Sequence, residues 1–153
     1  MQRHSDLVPV FQAIQSLLAE KGLFLGVMIG GESLAELREI LYETEIAMTG
    51  RAHARFVPLQ SGETIARAMM ESGFADPVVD RERITLTYKD MFALINDLRE
   101  SGCANALSER PRAIPPKKLF EQAAALYQSR FSLPQGGVQA TLDLFFIHGW
   151  REG

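Results

Sequence analysis

Cysteine is nearly absent from this chain, because Cys103 is its only cysteine among 153 residues. A single cysteine excludes an internal disulfide and a cysteine-based zinc site. Sparse cysteine is typical of a reducing compartment, and we expect a cytoplasmic location. Long apolar runs are also missing. The longest, residues 23–29, is far below the roughly 20 residues that span a bilayer, and the first residues show no signal-peptide pattern.

An excess of positive charge is missing as well. The formal net charge is -3 and the pI is about 5.6, which gives no electrostatic reason to bind nucleic acid or an anionic membrane. The three histidines, His4, His53 and His148, share no metal-ligand spacing and have no accompanying carboxylate cluster. We therefore predict no metal site, and the spacing of residues identifies no catalytic group.

The sequence does contain a clear alternation of helix and strand patterns. It predicts an α/β protein with five helices and three strands in the order α-β-α-α-β-α-α-β, as a single domain over residues 1–153. The predicted strands are residues 23–29, 77–88 and 138–150. Ser33 and Glu36 fit a capping box at the start of one helix, and Ser61 and Asp90 open two others.

The first predicted strand is apolar at every position. Such a strand is expected to be covered on both faces and to belong to a mostly parallel sheet, yet one short helix precedes it. The chain therefore looks as if it starts in mid-fold. In the last strand, alternate residues from Val138 to Trp150 are expected to face the core, and these include Phe146 and His148.

Several short strings resemble one family when they are taken in order along the chain. They include GGESLAELR at residues 30–38, SGFADPVVD at residues 72–80 and the closing HGW at residues 148–150. With the element order, they resemble the C-terminal half of class I S-adenosylmethionine-dependent methyltransferases. The nearest likeness is to the group that contains the malonyl-carrier-protein methyltransferase of biotin synthesis and the methyltransferase-like mitochondrial complex I assembly factor.

The resemblance implies a partial Rossmann-like methyltransferase fold. The three strands would correspond to the fifth, sixth and seventh of a seven-stranded sheet, with the last strand antiparallel between the other two. In this family the glycine-rich loop after the first strand and the acid ending the second hold S-adenosylmethionine. Neither has a counterpart here, so the missing N-terminal half would carry every cofactor contact, and we expect this chain alone to bind no cofactor.

By position, the substrate-side candidates lie in two segments. One is the glycine turn after the first strand and the other is the polar loop after the next helix; the residues are Gly30, Gly31, Glu32, Arg51, His53, Arg55 and Phe56. Arg51 and Arg55 suit an anionic substrate group, such as a carboxylate or a carrier phosphopantetheine, but equally suit surface ion pairs. The glycine pair is interpreted as a tight turn, because it lacks the spacing of a phosphate or adenosine cradle.

Two functional hypotheses remain open from the sequence. In the first, the chain is the substrate-side portion of a methyltransferase, inactive alone, whose substrate is an acidic small molecule or a carrier protein. In the second, it is a non-enzymatic interaction or assembly module that self-associates through the open edge of its first strand. Its expected partner is either a second copy of the chain or the missing N-terminal half. The resembling group also contains an arginine hydroxylase, so the reaction itself stays open.

Overall fold

A computed structural model describes residues 7–52, 59–101 and 117–153. Within these ranges the chain forms five α-helices and three β-strands in the predicted order. They are α1 (Leu7–Leu17), β1 (Leu23–Gly30), α2 (Ala35–Thr49), α3 (Gly62–Glu71), β2 (Phe74–Tyr88), α4 (Met91–Glu100), α5 (Lys117–Phe131) and β3 (Val138–Arg151).

The strands form one sheet in the order β1-β3-β2, with the last strand in the middle. β1 and β3 run antiparallel, and their register extends from Leu23 opposite Trp150 to Gly30 opposite Asp143. This arrangement confirms the α/β class and the partial Rossmann-like fold with its inserted last strand. In the described part of the chain, β1 lies at one edge of the sheet.

The chain divides into two compact units that share the longer strands. The first contains Met1–Ser33, Pro58–Ile84 and Leu142–Gly153, and the second contains Leu34–Val57 and Thr85–Thr141. The expectation of one domain over the whole chain stays a prediction.

The core of the first unit lies between the helices α1 and α3 and one face of the sheet. Phe11 of α1 and Met69 of α3 are buried there against Phe145 and Ile147 of β3. Because side chains alternate along a strand, this core uses only every second residue of β3. Gly149 lies in the same alternation, where an added Cβ would come within 2.9 Å of the Met69 Cε atom. The helices therefore pack closely against this face.

The other face of the same strands is exposed, which corrects two expectations. On β1, Leu25 and Val27 are 69% and 57% exposed, so the strand is not covered on both sides. On β3, Phe146 and Trp150 are 40% and 44% exposed, so the expectation that they face the core is wrong, and His148 beside them is only half-buried. The physical reason is that α1 and α3 pack on the opposite set of alternate residues.

The second unit has a closed core of its own. Leu37 and Ile40 of α2, Leu94 of α4 and Tyr127 of α5 are fully buried together with the first residues of β3. The Tyr127 hydroxyl donates to the Gln139 carbonyl oxygen at 2.7 Å, so the one polar atom of this ring is satisfied.

Candidate functional site

The turn after β1 is built around two glycines. Gly31 has a φ of 58°, a left-handed conformation that favours glycine, and a Cβ on Gly30 would come within 2.6 Å of the Gln60 carbonyl oxygen. The Gly31 N–H donates to that same oxygen at 2.9 Å, and the Ser33 N–H donates to the Gly30 carbonyl at 3.2 Å. The interpretation of this pair as a tight turn is therefore confirmed.

Asp143 of β3 lies directly against this turn and is fully buried. Its carboxylate accepts the Glu32 N–H at 2.8 Å, and its own N–H donates to the Ser33 hydroxyl oxygen at 2.8 Å. The Ser33 hydroxyl in turn donates to the Gly30 carbonyl at 2.8 Å. The turn is thus fixed to the central strand by side-chain and backbone hydrogen bonds.

Two arginines of β2 bind the same carboxylate. Arg81 Nη2 lies 2.5 Å from Oδ2 of Asp143, and Arg83 contacts Oδ1 through Nε at 2.9 Å and Oδ2 through Nη2 at 3.4 Å. Burial alone would raise the pKa of Asp143, but the hydrogen bonds from the two arginines and from the turn outweigh burial and hold that pKa well below its usual value. Asp143 is therefore ionised at neutral pH and positions its donors.

The Asp143 carboxylate is unsuited to proton transfer. A carboxylate with a strongly lowered pKa is a weak general base, and both oxygens of Asp143 already accept hydrogen bonds. The side chains of Arg81 and Arg83 are 46% and 54% exposed. Guanidinium groups bind carboxylates and phosphates through paired N–H donors.

The structure places the predicted candidates in different regions. Gly30, Gly31 and Glu32 form the turn at this centre. Arg51 is exposed in the second unit, just after α2, where its N–H donates to the Thr49 hydroxyl oxygen at 3.2 Å.

Three further candidates, His53, Arg55 and Phe56, lie outside the described residues.

The sequence reasoning missed the three residues at the heart of the centre, Asp143, Arg81 and Arg83. One signal was present, since Asp143 is the one acidic residue within the apolar strand β3 and shares its alternation with buried Phe145 and Ile147. The two arginines fall two residues apart on β2 and so share one face of that strand. Nothing in the local pattern links the two strands, because Arg81 and Arg83 lie 62 and 60 positions before Asp143 in the sequence.

A second buried carboxylate, Glu36, belongs to the second unit. The predicted capping box of Ser33 and Glu36 is wrong: Leu34 stands at the helix start with a φ of 57° and forms no side-chain cap. Glu36 instead accepts hydrogen bonds from the Thr141 N–H at 3.0 Å, from the Thr141 hydroxyl, and from Gln139 Nε2 at 3.4 Å. It fixes the first turn of α2 to β3, which is a structural role.

A metal site and a membrane-spanning helix are both absent from the parts of the chain that the structure describes. No three metal-ligating side chains come together there. No described helix combines the length and apolar character needed to cross a membrane.

Comparison with known proteins identifies homologues. No protein-family model matches the chain. It is 31% identical over its whole length to a malonyl-[acyl-carrier protein] O-methyltransferase of Halorhodospira halophila, and this match covers 50% of that protein. It is 31% identical over 95% of its length to the mitochondrial arginine-hydroxylase NDUFAF5 of Dictyostelium discoideum, and 29% identical over 96% to the human one; these matches cover 34% and 42% of those proteins.

The chain thus spans half or less of the curated relatives that it matches. This partial span is consistent with the C-terminal portion that the sequence predicts. The homologues of this chain are thus malonyl-[acyl-carrier protein] O-methyltransferases and NDUFAF5 arginine hydroxylases, each of which it matches over part of their length.

Proposed function

We propose that this chain is the substrate-side part of an S-adenosylmethionine-dependent methyltransferase and that it transfers no methyl group alone. The observation that carries the proposal is the 31% identity over the whole chain to a malonyl-[acyl-carrier protein] O-methyltransferase of which it spans half. A cytoplasm-like compartment suits the single cysteine, although the NDUFAF5 relatives are named as mitochondrial.

The described residues do not fit the cofactor. The turn after β1 is the one glycine pair that follows a strand among them, and its N–H groups already have partners. Gly31 donates to Gln60, Glu32 donates to Asp143, and Ser33 donates to the Gly30 carbonyl. No donor of this turn is left for a bound nucleotide or carboxylate, so we assign no cofactor contact to these residues.

The contribution that we propose for the chain is positioning of the methyl acceptor. Methyl transfer is a displacement that depends mainly on alignment and on exclusion of water. Asp143 fixes the Arg81 guanidinium through one N–H, and the half-exposed side chain retains further donors. We propose that these donors bind an oxyanion of the acceptor, either a carboxylate of an acidic small molecule or a phosphate of a carrier-bound group.

The experiment starts with the isolated chain. Calorimetric titration with S-adenosylmethionine is expected to show no binding, and an assay with malonyl-acyl carrier protein is expected to show no methyl transfer. The same assay is then run after co-expression with the part of the Halorhodospira halophila enzyme that the chain does not match. We expect activity to return. Micromolar cofactor binding by the chain alone would contradict the proposal.

Two variants test the acceptor site in that co-expressed enzyme. Arg81→Gln removes the charge and is expected to raise KM for the acceptor about tenfold or more, because a charge-assisted hydrogen bond is lost. Arg99→Gln is the matched control, since Arg99 is an exposed arginine at the end of α4 in the other unit. Equal KM values for the two variants would exclude Arg81 from acceptor binding.

A second candidate function is a non-enzymatic interaction or assembly module. It is favoured by the position of β1 at the edge of the described sheet, because an edge strand carries unpaired backbone N–H and C=O groups. In this alternative the chain forms a homodimer through the edge of β1. Sedimentation of the isolated chain at high concentration tests it, because a monomer at all concentrations would contradict self-association.

A further inference from the structure

The two arginines of β2 hold the Asp143 carboxylate in unequal ways. Arg83 reaches both oxygens, through Nε to Oδ1 at 2.9 Å and through Nη2 to Oδ2 at 3.4 Å. Arg81 reaches Oδ2 through Nη2 at 2.5 Å. A paired contact fixes the plane of a guanidinium group relative to the carboxylate, whereas a single contact leaves N–H donors on the other nitrogens. Arg83 is therefore the clamped side chain, and Arg81 is the one whose Nε and Nη1 are not used on Asp143.

The two oxygens of Asp143 differ in what they would lose without Arg83. Oδ2 also accepts the Glu32 N–H at 2.8 Å and the contact from Arg81, whereas Oδ1 accepts the Nε–H of Arg83. Asp143 is fully buried, so an oxygen that loses its donor costs the desolvation penalty of that group. Residues 81 and 83 share one face of β2, because side chains alternate along a strand. Arg81, already 2.5 Å from Oδ2, is then placed to turn a second N–H onto Oδ1.

Such a turn would take Arg81 away from the acceptor. The proposed function depends on the donors that Asp143 leaves on the half-exposed Arg81 side chain, and a paired contact with Asp143 would use them. We propose that Arg83 is a positioning residue of the acceptor site, which occupies the carboxylate with paired N–H groups and so keeps the donors of Arg81 for an oxyanion of the acceptor. This inference rests on the proposed function and assigns Arg83 no contact with the acceptor.

Arg83→Lys separates positioning from charge. Lysine keeps the positive charge but presents it as a point, so it cannot hold both oxygens of Asp143 in one plane. In the co-expressed enzyme, Arg83→Lys is expected to raise KM for malonyl-acyl carrier protein about fivefold or more and to keep kcat within about twofold, because the reacting atoms are untouched. Arg99→Lys, the same change on an exposed side chain of α4 in the other unit, is the matched control and is expected to leave both constants unchanged.

Anion binding to the isolated chain gives a readout that needs no methyl transfer. The arginine Nε–H resonances are followed by NMR in separate titrations with sodium malonate and inorganic phosphate, and the tighter probe identifies the oxyanion as a carboxylate or a phosphate. We expect the Arg81 signal to shift in wild type, and its dissociation constant to rise about fivefold or more in Arg83→Lys. In the unchanged chain, the Nε–H of Arg83 should exchange with water more slowly than that of Arg81, because it donates to a buried oxygen.

Two results would overturn the inference alone. Equal dissociation constants for wild type and Arg83→Lys would show that positive charge at this position suffices. Faster exchange at Arg83 than at Arg81 in the unchanged chain would show that Arg83 is not the clamped side chain, and this result is obtained even if the variant does not fold. An Arg81 signal that neither anion moves would contradict the proposed acceptor site and this inference with it. Anion binding that depends on Arg83, without methyl transfer in the co-expressed enzyme, would contradict the proposed function alone.

Discussion

Both faces of the β1–β3 pair carry apolar side chains, but the two faces have different surroundings. Phe145 is buried against α1 and α3, whereas its neighbour Phe146 is 40% exposed on the opposite face. We call this side the open face, and its exposed apolar residues are Leu23, Leu25, Val27, Ile29, Phe146 and Trp150. On β1, Met28 packs into the helix-covered core, whereas Val27 projects into water. The apolar composition of a strand therefore determines which side chains it can bury, and the helices packed on the sheet determine which face is buried.

The covered face also holds the charged centre. Asp143 shares the alternation of Phe145 and binds two arginines and the turn after β1, all within the first unit. On the covered face the side chains are buried under α1 and α3, and the Asp143 carboxylate at one end is paired with two arginines. The open face has no such complement among the described residues. The same two strands thus combine one face that is buried under helices with one apolar face that is exposed.

The largest effect is expected from truncating the buried phenylalanine. Phe145→Ala is expected to lower the free energy of unfolding by about 3–5 kcal/mol, because it removes a ring and leaves a cavity under α3. Phe146→Ala is the matched change one residue away and is expected to cost about 1 kcal/mol or less, since Phe146 is already 40% exposed. Urea unfolding measures both. Equal losses would mean that the open face is covered in solution.

The next effect concerns the carboxylate that anchors the turn. Asp143→Asn keeps the shape but leaves two guanidinium groups without their anion, and is expected to cost about 1–3 kcal/mol at neutral pH. The value lies below that of a fully buried ion pair, because both arginines are half-exposed and screened by water.

The pH dependence of this variant has a definite sign. The pKa of Asp143 is lowered in the folded protein, so its contribution is present above the unfolded pKa of about 3.9 and is lost as the pH falls towards the folded value. Wild type and Asp143→Asn should therefore converge in stability below about pH 4. A difference that is constant from neutral to acid pH would show that the carboxylate contributes through shape alone.

Short sequence patterns predicted the helices and strands well. Ser61 accepts the Thr64 N–H at 3.2 Å and Asp90 accepts the Ala93 N–H at 2.9 Å, so both predicted helix caps are confirmed. These caps depend on residues three positions apart. The capping box of Ser33 and Glu36 has the same local pattern and is wrong, because both side chains find partners on β3 more than a hundred residues away.

The charged centre and the open face escaped prediction for the same reason. Asp143, Arg81 and the turn at Glu32 come from three separate stretches of chain that only the sheet brings together. The family resemblance implied the strand order β1-β3-β2, but periodicity could not say which face of β3 the helices would cover. Which face is covered depends on contacts between distant parts of the chain, and the sequence of a single strand says little about those contacts.

A smaller effect is expected where the covered face has no spare room. A Cβ on Gly149 would lie 2.9 Å from Met69 Cε and 3.1 Å from Phe74 Cβ. Gly149→Ala is therefore expected to cost about 1–2 kcal/mol through overpacking, although the flexible end of Met69 absorbs part of the strain. Val27→Leu adds one methylene to the open face and should change stability by less than about 0.5 kcal/mol. Similar losses of stability in the two variants would mean that the two faces are packed equally tightly.

The smallest effect on stability should come from the most exposed apolar side chain of the open face. Leu25 is 69% exposed, so Leu25→Gln is expected to change the free energy of unfolding by no more than about 0.5 kcal/mol. The same change should visibly reduce binding of an apolar fluorescent dye, because it interrupts the surface between Leu23 and Val27. A loss of more than about 2 kcal/mol would mean that Leu25 is already buried against something in solution, since only a buried leucine carries such a cost. The unfolding midpoint would then depend on protein concentration if the cover is a second copy, and would be independent of concentration if the cover belongs to the same chain.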